Sequence, residues 1–330
     1  MNQEDNASVN KLLQELEHHI LNFEYGQSPS ELYEPISYIM NLGGKRIRPL
    51  LTLMAYTLYK GDYEKILTPA MAVEVFHNFT LMHDDIMDDA PLRRGKPTVH
   101  EKWNANTAIL SGDVMLVKAY AMLLNISPEK LPNCLRLFNQ TAAEVCEGQQ
   151  HDMNFETKEH VSEHAYIEMI RQKTAVLLGF ALEFGALLAD ASDNDAKKLY
   201  DFGVNIGIGF QLKDDLLDVY ADQAKFGKQI GGDIIANKKT FLLIKAKELA
   251  EGENKEKLNY WLNVKDFSKE EKVSAVTSIY NVLGIKELTE SKMHDYFMKG
   301  FEQYASIKTP NEFAYQNLLN LTQDLVEREK

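Results

Sequence analysis

The stretch Met71-Ala72-Val73-Glu74-Val75-Phe76-His77-Asn78-Phe79-Thr80-Leu81-Met82-His83-Asp84-Asp85-Ile86-Met87-Asp88 decides the fold class. Met71, Val75, Phe79, Met82 and Ile86 recur every three or four residues and form the apolar face of a long amphipathic helix. On another stripe of the same helix His77, Leu81, Asp84 and Asp88 follow one another turn by turn. Gly207, Gln211, Asp214 and Asp218 repeat that spacing in a second segment, ending in Asp214-Asp215-Leu216-Leu217-Asp218. Both pentads are expected inside helices. Each then projects two carboxylates from successive turns, with Asp85 or Asp215 beside them.

Like charges at this spacing weaken an isolated helix by tenths of a kcal/mol per pair, so a chain that repeats the arrangement calls for a counterion. Hard divalent cations suit it: Mg²⁺ takes oxygen ligands, keeps several waters, and is commonly held by one or two carboxylates plus substrate phosphates. Neither pentad has the glycine and terminal glutamate of a calcium-binding loop. One acidic run alone is more often a solvated face; two of them bracketed by cations point to a phosphorylated ligand carried by metal. His83-Asp84 also matches the His-Asp doublet of metal-dependent phosphohydrolases. That alternative leaves the second pentad, Gln211 and the lysines below without work.

The cations come in three clusters. Asp89-Ala90-Pro91-Leu92-Arg93-Arg94-Gly95-Lys96-Pro97 is expected to break the helix at Pro91 and deliver adjacent arginines, whose forks match phosphate oxygens. Gly43-Gly44-Lys45-Arg46-Ile47-Arg48-Pro49 puts three cations in a glycine-led turn entering a helix. Lys228 lies in the glycine-rich Phe226-Gly227-Lys228-Gln229-Ile230-Gly231-Gly232-Asp233, and Lys238 in Asn237-Lys238-Lys239-Thr240.

In order and spacing these segments resemble the trans-isoprenyl diphosphate synthases, the head-to-tail prenyltransferases. Asp84 to Asp88 with Arg93-Arg94-Gly95 looks like that family's first aspartate-rich motif, and Gly209-Phe210-Gln211-Leu212-Lys213-Asp214-Asp215-Leu216-Leu217-Asp218 like its second. Gly43 to Pro49, Gln172-Lys173-Thr174-Ala175 and Gly227-Lys228 resemble three further signatures. The resemblance runs from about residue 43 to 240 and leaves the last ninety or so residues without a signature.

It implies an all-α isoprenoid synthase fold around a central cavity. It also implies Mg²⁺, with Mn²⁺ as an alternative, on Asp84, Asp85, Asp88, Asp214, Asp215 and Asp218. The substrates implied are isopentenyl diphosphate and an allylic partner: dimethylallyl, geranyl or farnesyl diphosphate. The family's roles put isopentenyl diphosphate on Lys45, Arg48, His77 and Arg94. They put the allylic diphosphate on Arg93, Lys228 and Lys238, and a reacting cation beside Lys173, Thr174 and Gln211. A homodimer is also implied.

Composition agrees. With 330 residues, 45% hydrophobic and 26% charged, the chain can bury a large core. One domain over residues 1–330 is expected, because a boundary between the carboxylate clusters would divide the site. Asn106 to Leu124, Glu163 to Leu188 and Ala196 to Tyr220 read as helices, with breaks near Gly26-Gln27-Ser28-Pro29, Ser127-Pro128 and Thr309-Pro310. The net charge of −13 argues against nucleic acid. The acidic start Met1-Asn2-Gln3-Glu4-Asp5-Asn6 is unlike a leader, and no apolar run approaches the 18 or so residues of a membrane span, so a cytoplasmic location is expected. Cys134 and Cys146 have no paired spacing for zinc or redox work.

Product length is read from Phe76, Phe79 and Thr80, one to two turns before Asp84. Farnesyl synthases of the eukaryotic type carry aromatics at both the fourth and fifth positions before the motif, whereas Thr80 with Phe79 resembles the archaeal geranylgeranyl arrangement. The expected product is C20, with C15 as the alternative and longer chains, a terpene cyclase or a non-catalytic partner subunit ranked below. A cyclase would carry an Asn/Ser/Glu metal motif in place of the second pentad, and a partner subunit would have lost carboxylates or arginines.

Overall fold

The computed structural model describes residues 3–221 and 231–327. Among these residues the only β-structure is one short hairpin; everything else regular is helical, as the periodicities require. Two compact units share the chain: residues 1–140, 180–200 and 307–325, and residues 141–179, 201–306 and 326–330. The division falls inside four of the described helices.

The first unit opens with α1 (Gln3–Leu21), α2 (Ser30–Asn41) and α3 (Ile47–Thr57), followed by a 3₁₀ turn (Tyr63–Ile66) and α4 (Leu67–Met87), which carries the first pentad. The hairpin β1 (Leu92–Arg93) and β2 (Lys96–Pro97) leads into the single turn α5 (Val99–Lys102) and α6 (Ala105–Leu123). Asn104 caps α6 by accepting from the Thr107 N–H at 2.9 Å. Helix α4 packs chiefly on α6, then on α3. Its apolar face is fully buried at Met71, Val75 and Phe76. Below it a chain of rings runs from Phe76 to Phe138 (5.1 Å) and on to Phe180 (5.8 Å).

The remaining helices are α7 (Leu131–Thr157), α8 (Glu163–Ile170), α9 (Val176–Leu188), α10 (Asp193–Tyr220), α11 (Gly232–Ile235), α12 (Phe241–Leu249), α13 (Gly252–Asn263), α14 (Lys269–Val282), α15 (Ile285–Ala305) and α16 (Glu312–Glu327). The second pentad lies within α10. In the second unit Leu216 and Val219, from the same turns as the pentad, pack into a core with Leu242, Leu243, Val276, Ile279 and Tyr280. That packing turns one face of the pentad's helix inward and leaves Asp214 exposed. Among the described residues no helix is long and apolar enough to cross a membrane.

Three local features depart from the sequence expectation. Helix α4 ends at Met87, before Pro91, so Asp88 is its C-cap rather than an interior residue. The chain closes there because Asp89 adopts a left-handed φ of 49°, letting Asp89 N–H reach the Ile86 carbonyl and Ala90 N–H reach the Asp85 carbonyl. The two arginines then fall on a tight hairpin whose central residues, Arg94 and Gly95, both have positive φ (52° and 74°), a backbone twist that suits paired strands. Finally, Glu163 to Leu188 is interrupted by a π-helical turn at Arg171–Ala175.

Candidate active site

In the first unit a buried ion pair sets the basic cluster. Arg46, 2% exposed and with φ 48°, donates from Nη1 to Glu74 Oε1 on α4 (2.7 Å), from Nη2 to the Met40 carbonyl ending α2 (2.6 Å) and from Nε to Glu17 Oε2 on α1 (3.2 Å). It is a structural clamp, unlike the cations that flank it. Lys45 is left exposed, while Arg48 is carried one turn into α3, where its Nη1 lies 3.2 Å from His77 Nε2. Arg94 arrives from the hairpin tip. Its guanidinium lies where a side chain on Gly44 would stand, a Cβ there coming within 2.7 Å of Nη2, so glycine with φ 137° is what admits it.

Arg48, His77 and Arg94 therefore form a cluster with a surplus of positive charge. Burial, followed by the guanidinium groups of Arg48, Arg94, Arg93 and Arg46, holds His77 well below the ordinary histidine pKa, so it is neutral. Burial lowers Arg48 as well, and its buried Nε has no hydrogen-bond partner. A buried donor without an acceptor costs about 1–3 kcal/mol, and an anion would satisfy it.

The first pentad is divided between two tasks. Asp85 is buried and receives a two-pronged fork from Arg93, Nε to Oδ2 at 2.8 Å and Nη2 to Oδ1 at 2.6 Å. Asp84 is partly exposed, with Oδ2 at 4.0 Å from Arg93 Nη2, and Asp88 is exposed. His83 turns toward α6, within 3.1 Å of the Ile109 carbonyl and edge-on to Phe79 at 4.8 Å. Phe79 packs on Phe76 at 5.7 Å, and the Thr80 hydroxyl bonds back to the His77 carbonyl at 2.8 Å.

In the second unit the backbone of the π turn packs between two glycines. A Cβ on Gly148 of α7 would meet Lys173 N at 2.2 Å, and one on Gly207 of α10 would meet Ala175 Cα at 2.7 Å, so both close approaches demand glycine. Such π turns are frequent at functional sites. Lys173 Nζ donates to Asp152 at 2.8 Å and Gln172 Nε2 to Glu147 at 3.0 Å. The Thr174 hydroxyl reaches Gln211 Oε1 at 3.4 Å, and Gln211 Nε2 reaches Asp215 Oδ1 at 3.5 Å.

Asp215 is buried and accepts a short hydrogen bond from the Tyr166 hydroxyl; burial, opposed by that bond and reinforced by Asp233, pushes its pKa up to about 7. Asp233 is pushed up to about 6 by burial and by Asp218, Asp152 and Asp214, against the pull of Lys238. Asp218 Oδ2 accepts from the Asp233 N–H at 2.9 Å, which holds the start of α11 against the pentad's helix. Lys238 is exposed, and Lys228 lies outside the described residues.

The middle aspartate of each pentad is thus engaged within the protein, by Arg93 or by Tyr166 and Gln211. Asp152, Asp233, Tyr166 and the Arg46–Glu74–Glu17 clamp were not singled out by sequence. Only Asp233 had a signal, the Gly231-Gly232 turn before it. In the second unit Asp218, Asp152 and Asp214 add to burial in raising Asp233, and carboxylates are the oxygen ligands that hard divalent cations take. The first unit gathers Arg48 and Arg94 at His77, a set of donors that suits an anion.

Comparisons with known proteins agree with this chemistry. The chain is 44% identical over 222 residues to a geranylgeranyl diphosphate synthase of Methanosarcina mazei, covering 67% of this chain and 68% of that one. It is 36% identical over 306 residues to a geranylgeranyl diphosphate synthase of Sulfolobus acidocaldarius, covering 91% and 92%. A crystal structure of a geranylgeranyl pyrophosphate synthase superimposes with a TM-score of 0.90 at 40% identity, covering all of both chains. The sequence model of the polyprenyl synthetase family matches residues 29–280, a span that holds both pentads together with Arg48, His77 and Arg94, and the chain belongs to that family.

Proposed function

We propose that the protein is a short-chain prenyltransferase that makes geranylgeranyl diphosphate (C20) from isopentenyl diphosphate and allylic primers, with residues 1–330 acting as one catalytic domain. The observation that carries the reading is a division of labour: in the first unit the guanidinium groups of Arg48 and Arg94 gather at neutral His77, while Asp84 and Asp88 there, and Asp214 and Asp218 in the second unit, offer carboxylates. Two diphosphates with opposite fates need two such environments.

The allylic diphosphate leaves only when its developing charge is neutralised. Divalent ions on Asp84, Asp88, Asp214 and Asp218, Mg²⁺ or else Mn²⁺, would supply Lewis acidity to that leaving group. Asp85 and Asp215, assigned as ligands by their place in the motifs, act instead by holding Arg93 and Gln211 in place. Lys238, with Lys228, closes the charge over the allylic diphosphate and keeps out water that would quench the cation. Isopentenyl diphosphate sits on Lys45, Arg48, His77 and Arg94, where cationic groups without metal hold it intact while its double bond attacks the allylic carbon and the resulting cation gives up a proton to the released pyrophosphate. Thr174 and Gln211 direct oxygen dipoles at the passing charge. Lys173 is restrained from it by Asp152.

The names of the relatives support C20, and so does the wall below Asp84. Phe79 lies roughly 7.5 Å down the helix axis from Asp84, five residues at about 1.5 Å each, and Thr80 adds no ring above it. C15 remains the second reading, since Phe76 and Phe79 both line that helix.

A homodimer completes the reading. Helix α6 is apolar on both sides: Met115 and Ala119 are buried, while Leu110, Val117 and Leu124 recur at heptad spacing and are 58%, 65% and 67% exposed. A second copy of that face would cover it. A monomer by analytical ultracentrifugation at micromolar concentration would contradict the dimer. The catalytic reading is tested by consumption of labelled isopentenyl diphosphate with a primer: it requires Mg²⁺, stops in excess chelator, and falls by orders of magnitude in Asp84→Ala or Asp214→Ala and by less in Asp218→Ala. Full turnover in chelator would overturn it.

A further inference from the structure

Outside the aspartate motifs, Asp89, His100 and Glu101 bring one ligand atom each to within 4.8 Å of one another. Asp89 and Glu101 are exposed, but the His100 side chain is only 8% exposed, and both of its ring nitrogens are buried without a hydrogen-bond partner. Its Nε2 points at Glu101 Oε1 from 3.7 Å. Imidazole nitrogens are strong hydrogen-bonding groups, and a buried ring with neither satisfied lacks a ligand that the neighbouring chain does not provide.

The local fold presents this trio deliberately. Thr98, 1% exposed, donates its hydroxyl to the Ala90 carbonyl at 2.7 Å and its N–H to the Pro91 carbonyl at 3.1 Å, tying the turn that bears Asp89 to the start of α5, which bears His100 and Glu101. The nearby cation does not neutralise the pair: Lys102 Nζ lies over the rings of Tyr38 (3.9 Å) and Trp103 (4.7 Å).

We propose that Asp89, His100 and Glu101 form a separate cation site that takes a borderline transition-metal dication such as Zn²⁺ or Co²⁺, with water completing its coordination. An imidazole nitrogen selects such ions over Mg²⁺ and Ca²⁺, which prefer all-oxygen sites. The two exposed carboxylates, already within 4.8 Å of each other and of the imidazole, close on the ion, and His100 fixes its position. The site bridges the residues on either side of the hairpin, so an ion in it pins the base of the loop that delivers Arg93 and Arg94.

The test is Co²⁺ titration of the full-length protein in millimolar Mg²⁺, which fills the aspartate motifs, read by visible d–d absorption and equilibrium dialysis. One Co²⁺ per chain is expected to remain bound against Mg²⁺ and to raise the melting temperature by mass action. His100→Gln should weaken it at least tenfold and shift the absorption bands. The double variant Asp89→Asn, Glu101→Gln changes only exposed side chains, should fold with an unchanged circular dichroism spectrum, and should lose the ion equally. Complete displacement of Co²⁺ by Mg²⁺, or binding unchanged in both variants, would overturn the proposal.

Discussion

Arg93 grips Asp85 with both prongs of its guanidinium, at 2.8 and 2.6 Å, while the adjacent Asp84 stands 4.0 Å away. The fork ties the hairpin to the last turn of α4 and removes Asp85 from solvent. Truncating one partner of a buried ion pair costs about 3–5 kcal/mol because the other is left charged and desolvated. Arg93 is partly exposed and screened by solvent, so the cost falls below that range: Arg93→Gln should destabilise by about 2–3 kcal/mol. Denaturant unfolding of Arg93→Gln, Asp85→Asn and the double variant would measure this; additive effects would mean that the fork contributes no coupling. On the catalytic side Arg93→Gln should raise the KM for the allylic substrate.

The isopentenyl cradle predicts a split in kinetic constants. Replacing Arg48 or Arg94 by a neutral residue should raise the KM for isopentenyl diphosphate at least tenfold and change that for the allylic primer little. Steady-state kinetics with each substrate varied in turn would settle it, and equal effects on both would show that the two diphosphate sites are misassigned.

His77 gives the cradle a pH dependence. Its folded pKa lies well below the unfolded value near 6.5. Below about pH 6.5 the unfolded chain therefore binds a proton that the folded chain refuses, and stability falls as pH drops through that point. His77→Gln should flatten the melting temperature between about pH 7 and 5 relative to wild type. An unchanged slope would mean that His77 is not the group responsible.

Chain length follows from the rings under Asp84. Phe79→Ala should open the floor and shift products to C25 or longer, and Thr80→Phe should raise it toward C15, both read by mass spectrometry. Phe76 is 1% exposed and wedged against Phe138, so Phe76→Ala should cost about 3–5 kcal/mol in unfolding measurements. A product distribution untouched by Phe79→Ala would move the floor to α6 around Met115 and Ala119.

What could be read from the chain was what its local pattern contains. The periods of α4, α6 and α10, both pentads and the arginine pair lie within short windows where spacing and turn residues speak directly. Asp88 escaped because a left-handed Asp89, instead of the proline, closes α4. The second tasks of Asp85 and Asp215 depend on partners eight and 49 residues distant, Arg93 and Tyr166, and no spacing rule encodes them. Arg46 looked like its neighbours Lys45 and Arg48, but its left-handed backbone turns it inward onto Glu74. The π turn is set by two helix glycines on other segments, Gly148 and Gly207.

The central claim is synthesis of a C20 allylic diphosphate, and the direct measurement is product mass after purified protein is given isopentenyl diphosphate with dimethylallyl, geranyl or farnesyl diphosphate in Mg²⁺. The account predicts geranylgeranyl diphosphate as the main product from each primer and none in excess chelator. Failure to consume isopentenyl diphosphate with any primer would contradict the assigned chemistry, and accumulation of C15 from the shorter primers would contradict the C20 assignment.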